Sequence, residues 1–364
     1  MDRCPGALSV FAAADGGLAR VRLPGGFVSA VQLGTIAAAA RDLGTGVVEL
    51  TSRGNVQIRG LAAGAELQLG QRLAEAGLLP SESHEIVRNI VASPLAGIDT
   101  DVDLGPVVAE LDRALCATPA LSGLPGRFLF ALDDGRGDVA ALGADVTAVV
   151  IATSARVEGV EVEHAVPAML AVAEAFLAER TARQAPAWRI EEIGRADVLA
   201  RAAIGIASAS HVPDAPAHPA GRIAQPDGIS ALVALAPLGR LTAAQVDRLA
   251  IHTAGRDARI TPWRSIVLPD LSDVEAVAAD LTDAGLGVDD RSKWVGVSAC
   301  TGRPGCAQAL ADVQADASEN AQRWPGRIVH WSGCERRCGR PRDASVDVVA
   351  APNGYAVTEM TVRG

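Results

Sequence analysis

The sequence predicts an α+β fold built twice over: two ferredoxin-like half-domains, each followed by a mixed α/β lobe. Three observations carry this prediction. Four segments recur in the same order, both copies of one hold the same helix-start signal, and both halves alternate strand and helix patterns at matching places.

The repeat is read first. Residues 26–33, GFVSAVQL, return as GRLTAAQV at 239–246. Each copy contains a capping box, Ser29 with Gln32 and Thr242 with Gln245. In that motif the hydroxyl accepts from a free N–H of the first turn while the glutamine reaches back to the cap, so both copies should start a helix there. Residues 50–58, LTSRGNVQI, answer to ITPWRSIVL at 260–268, and LAEAGL at 73–78 answers to LTDAGL at 281–286. PGRFL at 125–129 is echoed by PGRIV at 325–329. An alanine-rich chain produces chance matches, but an ordered set of matches argues for duplication.

Residues 19–78 and 230–290 each read as strand, helix, strand, strand, helix. Such a unit leaves one sheet face and its edges open, and pairing two copies buries more apolar surface than either buries alone. The expected division is a half-domain at 1–83, a first lobe at 84–204, a linker at 205–228, a second half-domain at 229–290 and a last lobe at 291–364. The linker holds Pro213, Pro216, Pro219 and Pro226.

Of the 364 residues, 49% are apolar and 21% charged, as in ordinary soluble globular proteins. A net charge of −10 argues against nucleic acid held by the overall field, but not against a small anion where arginines converge. No apolar stretch approaches the ~18–20 residues of a membrane helix. The apolar run Ala7–Ala14 lies between Asp2 and Asp15, unlike a signal peptide. A cytoplasmic location with no membrane partner is therefore expected, where six cysteines are reduced, catalytic or metal-bound rather than paired.

Four of them form a pattern. Cys300 and Cys306 are separated by five residues, and Cys334 and Cys338 by three. Four thiolates are what a [4Fe–4S] cluster requires, whereas structural zinc favours gaps of two to four. A helix is predicted over 307–323 with Cys306 at its first turn, where the dipole would favour a thiolate. Gly302, Gly305, Gly333 and Gly339 would let the backbone approach an inorganic core. Inert buried cysteines or a zinc knuckle are the plainer alternatives. Cys116 reads as helix core, and Cys4 as incidental in a flexible-looking tail. The first half has Leu132-Asp133-Asp134-Gly135 where the second has Ser332-Gly333-Cys334, so a single cluster is expected, with the other half free to hold a ligand against it.

Arg53, Arg88 and Arg127 sit in glycine-rich turns or at strand ends, and Arg336, Arg337 and Arg340 flank the last cysteine pair. A ligand with many carboxylates needs several converging guanidinium forks, although a surface ion pair is the plain reading of any one arginine. No Rossmann fingerprint or P-loop is present, so a nicotinamide would deliver electrons through another protein.

The two cysteine pairs, the Thr51-x-Arg53-x-x-x-Gln57 motif and the duplicated unit together resemble the sulfite/nitrite reductases over nearly the whole chain. The resemblance implies that family's fold, with a [4Fe–4S] cluster on Cys300, Cys306, Cys334 and Cys338 beside sirohaem, and with Arg53, Arg88 and Arg127 at positions that bind the macrocycle or its anionic substrate. A second basic residue often stands two positions after the one at Arg127; here that position is Leu129. The short chain, Arg20-Val-Arg-Leu-Pro-Gly-Gly26, residues 127–135 and Pro237-Leu-Gly-Arg-Leu241 are similar to one branch, in which the tetrapyrrole is the substrate rather than a cofactor. That branch implies O2-dependent hydroxylation of precorrin-3A at C20 with γ-lactone formation. It also implies a mononuclear non-haem iron and a separate, NAD(P)H-linked electron donor. Asp133 and Asp134 are candidates for catalytic work near C20, with a strand-end turn as the plain alternative. Two other readings are a small sirohaem-dependent nitrite or sulfite reductase, and a non-enzymatic iron–sulfur carrier.

Overall fold

The computed structural model describes residues 4–152, 154–205, 220–226, 228–253, 255–341 and 344–360. Two five-stranded sheets form the centre. The first runs Phe11–Ala13, Gly16–Val21, Val56–Leu61, Val47–Leu50 and Arg240–Thr242; the second runs Gly221–Ala224, Ser230–Leu235, Ser265–Leu271, Ala258–Ile260 and Phe27–Val28. Each half-domain thus lends one short edge strand to the other half's sheet: Arg240 pairs with Glu49, and Phe27 with Arg259. The exchange covers an edge that either unit alone would leave open.

Both predicted capping boxes are present. Ser29 starts the helix Ala30–Leu43 and Thr242 starts Ala243–His252, each with its hydroxyl accepting from the glutamine N–H and the glutamine returning to the cap. These helices pack together, and their apolar faces join one core with Ala19, Val21, Ile58, Leu232 and Ile266. Gly26 shows why the turn before the first helix takes glycine: its φ is +76°, and a Cβ there would lie 2.0 Å from the Ile260 carbonyl oxygen.

The two lobes repeat each other as well. Ile90–Ala92, Phe130–Asp133 and Val146–Ile151 run parallel, followed by antiparallel Ser154–Val157. Val297–Ala299, Val329–Ser332, Val346–Ala351 and Gly354–Glu359 follow the same order and directions.

Two expectations are corrected. Gly221–Ala224, assigned to the linker, is an edge strand, because its backbone pairs with Ser230–Leu235; Pro213, Pro216 and Pro219 lie outside the described residues. The helix expected over 307–323 is only Val313–Glu319. The residues before it are pinned elsewhere: Leu310 N–H donates to the Gly333 carbonyl, Arg303 N–H donates to that of Ala311, and Asp312 then caps the helix.

Candidate functional site

Strand alternation builds one wall of the site. On Gly16–Val21, Ala19 and Val21 enter the core, so Arg20 points to the opposite face, with Arg22 two residues on. Register extends that face across the first sheet as a row: Arg20 beside Gln57, Gln57 beside Glu49, Glu49 beside Arg240. Arg20 donates twice to the Gln57 amide oxygen, Gln57 donates to Glu49 at 3.1 Å, and Arg240 pairs with Glu49.

Arg53 comes from the turn between Val47–Leu50 and Val56–Leu61. The Thr51 hydroxyl accepts from the N–H groups of Arg53 and Asn55 and so fixes the turn. The Arg53 guanidinium donates to the carbonyls of Gly126 and Arg127, at 3.4 and 3.0 Å. Burial pushes Arg53 down to about 10, and neighbouring Arg189 and Arg20 add to the fall. Burial pushes Arg22 down to about 9, with Arg20 next among the causes; its donors go to the carbonyls of Pro5 and Ile86. Arg22 is therefore a buried cation, and Arg20 and Arg53 are half-buried ones, whose hydrogen bonds go to neutral oxygens. Such a group favours an anion, since desolvated charge without a counter-charge is costly. Neither Arg20 nor Arg22 was singled out from the sequence; the missed signal is their i, i+2 spacing around apolar Val21.

Opposite lie the cysteine loops. Arg59, on the same face, pairs with Asp15 at 3.0 Å and donates to the Gly305 carbonyl at 2.7 Å, docking the Cys300–Cys306 loop against the sheet. Arg264, whose pKa falls through burial, donates to the Gly339 carbonyl just beyond Cys338. The structure brings the four thiols into one another's electrostatic reach. Burial raises Cys300, with Cys338 and Cys306 adding; it raises Cys338, with Cys334 and Cys306 adding. Gly333 N–H donates to Cys300 Sγ at 3.1 Å. Buried His330 supports the last ligand loop. Its Nε2 lies 3.1 Å from the Cys338 carbonyl, which can only accept, so Nε2 holds the proton and Nδ1 accepts from Ser298.

These residues fit a four-iron cluster better than a single ion. Tetrahedral zinc with Zn–S near 2.3 Å needs sulfurs about 3.8 Å apart. Among the described residues, no three of these sulfurs lie within 4.8 Å of one another. Gly302 and Gly333 also pack too closely for side chains, since their Cβ atoms would meet Val313 and Ala309 at 2.7 Å. The buried Ser332 hydroxyl beside the loop has no hydrogen-bond partner, as a group bound there would require.

The remaining candidates stand differently. Arg127 is exposed and stacks on Trp188; its carbonyl, not its guanidinium, meets Arg53. Arg88 is no open fork. Its Nε and Nη2 hold Asp112, on the helix Gly105–Ala117, at 2.6 and 2.7 Å, and Nη1 donates to the Leu78 carbonyl, so each of these nitrogens is already engaged. A cavity of about 400 Å³ beside it is lined by Arg22, Phe27, Asp112 and Arg259 rather than by the cysteine loops.

Asp133 and Asp134 are each held by hydrogen bonds within their own lobe. Asp133 is fully buried and accepts from the N–H groups of Gly135, Gly137 and Ala140. Asp134 is gripped by Arg136 and Thr100; burial would raise it, but Arg136 holds it below the usual carboxylate range. With Asp138, one oxygen of which accepts from the Ser93 hydroxyl and the Val139 N–H, they form the one grouping of three metal-type ligands found among the described residues.

The duplication explains the network. Ser93 N–H donates to Leu132 as Cys300 N–H does to Trp331, and Asp134 N–H donates to Ser93 Oγ as Gly333 N–H does to Cys300 Sγ. Ser93 therefore occupies the place of Cys300. Where the second lobe presents thiols, the first presents oxygens closed by the Arg136 guanidinium, which also pairs with Asp99.

Residues 12–76 match the family model of the nitrite/sulfite reductase ferredoxin-like half domain. The chain is similar to a precorrin-3B synthase of Sinorhizobium sp, 28% identical over 97% of this chain and 82% of that protein. A ferredoxin–nitrite reductase of Synechococcus elongatus is 26% identical over 92% of this chain and 76% of that protein. The chloroplastic ferredoxin–nitrite reductase of Zea mays is 27% identical, covering 90% and 68%. The solved structure of the Mycobacterium tuberculosis NirA protein shares the fold, with a TM-score of 0.71 and 21% identity over 94% of this chain and 73% of that one. By sequence and by fold, the chain is a relative of the nitrite and sulfite reductases.

Proposed function

We propose that this protein is a precorrin-3B synthase, an iron–sulfur monooxygenase of cobalamin biosynthesis. It would use O2 to hydroxylate precorrin-3A at C20 and form the γ-lactone from the ring A acetate. The observation that carries this reading is a set of arginines held by neutral oxygens, buried Arg22 and half-buried Arg20 and Arg53, on or beside the sheet whose Arg59 docks the Cys300–Cys306 loop. A polycarboxylate macrocycle would supply carboxylates to these three guanidinium groups, whose own hydrogen bonds go to neutral oxygens.

Cys300, Cys306, Cys334 and Cys338 would hold the [4Fe–4S] cluster. When bound, it would deliver electrons singly from a separate donor, NAD(P)H-linked or ferredoxin-like, to the adjoining face. The arginines bind and orient the tetrapyrrole rim, and Gln57 fixes the Arg20 fork. His330 and Arg264 hold the Cys338–Gly339 backbone in place. One oxygen atom enters C20 and the other leaves as water, with two electrons and two protons consumed.

Leu129 supports the synthase over reduction of a small oxyanion. It is 4% exposed and packs with Val91, Ala131 and Val139, so the position two residues after Arg127 carries an apolar core side chain and no cation. The test is incubation of the reduced, cluster-loaded protein with precorrin-3A under labelled O2. One labelled oxygen in a C20-hydroxylated lactone supports the reading. Nitrite or sulfite reduction by protein that contains sirohaem would replace it with the reductase reading.

A further inference from the structure

Arg127 and Trp188 meet from well-separated parts of the first lobe. The Arg127 guanidinium lies over the Trp188 ring, 5.2 Å from its centroid. One carboxylate fixes both sides of this pair. Asp145, fully buried, accepts from the Leu129 N–H at 2.8 Å, two residues after Arg127, and from the Ile190 N–H at 2.7 Å, two residues after Trp188. Arg189 adds an ion pair to Asp145 at 2.7 Å and donates to the Gly143 carbonyl, and the Trp188 N–H donates to Glu192 at 2.8 Å. The segment that carries the ring is therefore anchored without help from the Arg127 side chain.

Arg127 itself is exposed, and among the described residues its guanidinium meets no carboxylate and no hydrogen-bond acceptor. Stacking occupies one face of a guanidinium and leaves its in-plane N–H groups free at the edge. The ring thus restricts a long side chain to one plane with its donors open, which is how a carboxylate is gripped by two parallel hydrogen bonds. A second cation adjoins the same turn: Arg53 donates to the carbonyls of Gly126 and Arg127, at 3.4 and 3.0 Å. Two guanidinium groups thus flank residues 126–127, and among the described residues neither is paired with a carboxylate.

We propose that Trp188 is a positioning residue for the ligand: it holds the Arg127 guanidinium flat, so that its N–H edge meets a carboxylate on the rim of the bound macrocycle. This deepens the tetrapyrrole reading and rests on it for the identity of the ligand. Trp188 acts through Arg127, so its contribution to binding should vanish once Arg127 is gone, whereas its place in the fold should not depend on Arg127.

The experiment is a double-mutant cycle on the full-length protein, with uroporphyrin I as the polycarboxylate probe and binding read from its visible spectrum. Trp188→Ala should weaken binding about two- to fivefold, the worth of an exposed cation–π contact. Arg127→Gln should weaken it at least as much, and Trp188→Ala added to Arg127→Gln should cause no further loss. Trp188→Tyr, which keeps a ring face, should bind within about twofold of wild type. Trp188→Leu, which keeps apolar bulk without a ring, replaces Trp188→Ala if that variant does not fold. Unchanged binding on removal of the ring overturns the proposal and leaves the tetrapyrrole reading standing. An equal loss in the Arg127→Gln background also overturns it, because Trp188 would then act through the fold. Failure of the wild-type protein to bind uroporphyrin counts against the tetrapyrrole reading itself, and the proposal falls with it.

Discussion

Arg53 and Arg88 differ in the kind of oxygen each one meets, and so in the effect expected of removing each. Arg53 meets carbonyls, and Arg88 meets the Asp112 carboxylate. Arg53→Ala should weaken tetrapyrrole binding by about 1.5–3 kcal/mol, the worth of a charge-assisted hydrogen bond, and leave iron and sulfide content unchanged. Titration of the visible spectrum measures this. Arg88→Ala should instead cost about 3–5 kcal/mol of stability by stranding Asp112, read from denaturant midpoints. Equal effects of the two substitutions on binding and on stability would contradict the distinction. The sequence makes both arginines visible as residues near repeated motifs, but not their partners, because Asp112 reaches Arg88 only through the packing of a separate helix.

Among the elements, the loops that follow equivalent strands have diverged into two chemistries on one backbone plan. In the cysteine lobe, Cys334→Ser should abolish the cluster; retention of all iron and sulfide would remove that residue from the ligand set. In the first lobe, burial pushes Asp138 up to about 6 from an ordinary value near 3.8. A carboxyl raised on folding favours the native state most when protonated, below about pH 4, and that contribution is lost as pH rises through 6. Asp138→Asn keeps the acceptor for Ser93 and Val139 and should raise the melting temperature at pH 8, with the gain vanishing near pH 4. A pH-independent difference would refute this. The paired capping boxes made both central helices readable from sequence, since a cap is local chemistry. The short helix Val313–Glu319 was over-read because the cross-loop bonds that delay its start, such as Leu310 to Gly333, are not local.

For the whole molecule, the duplication creates two equivalent sheet faces, of which only one remains open to a charged ligand. The row Arg20, Gln57, Glu49, Arg240 of the first sheet corresponds to Val233, Val267, Arg259, Phe27 of the second. The second row is covered by Leu95 and Ile98, from the loop that stands where Cys300–Cys306 stands in the other lobe, and Arg259 is spent on the carbonyls of Pro94 and Ala96. One macrocycle per chain should therefore bind, and a stoichiometry of two would contradict this asymmetry. The duplication was legible because it repeats in residue order; the exchange of edge strands and the closure of one face were not, because they depend on which sheet a two- or three-residue strand joins. The central claim, a four-cysteine cluster facing a site whose tetrapyrrole is the substrate, is tested most directly by anaerobic purification with visible and electron paramagnetic resonance spectra and analysis of iron, sulfide and zinc. The account predicts a [4Fe–4S] signal, with iron and sulfide in equal amounts and no sirohaem bands. Tightly bound sirohaem would contradict its assignment of the tetrapyrrole, and zinc without sulfide would contradict the cluster itself.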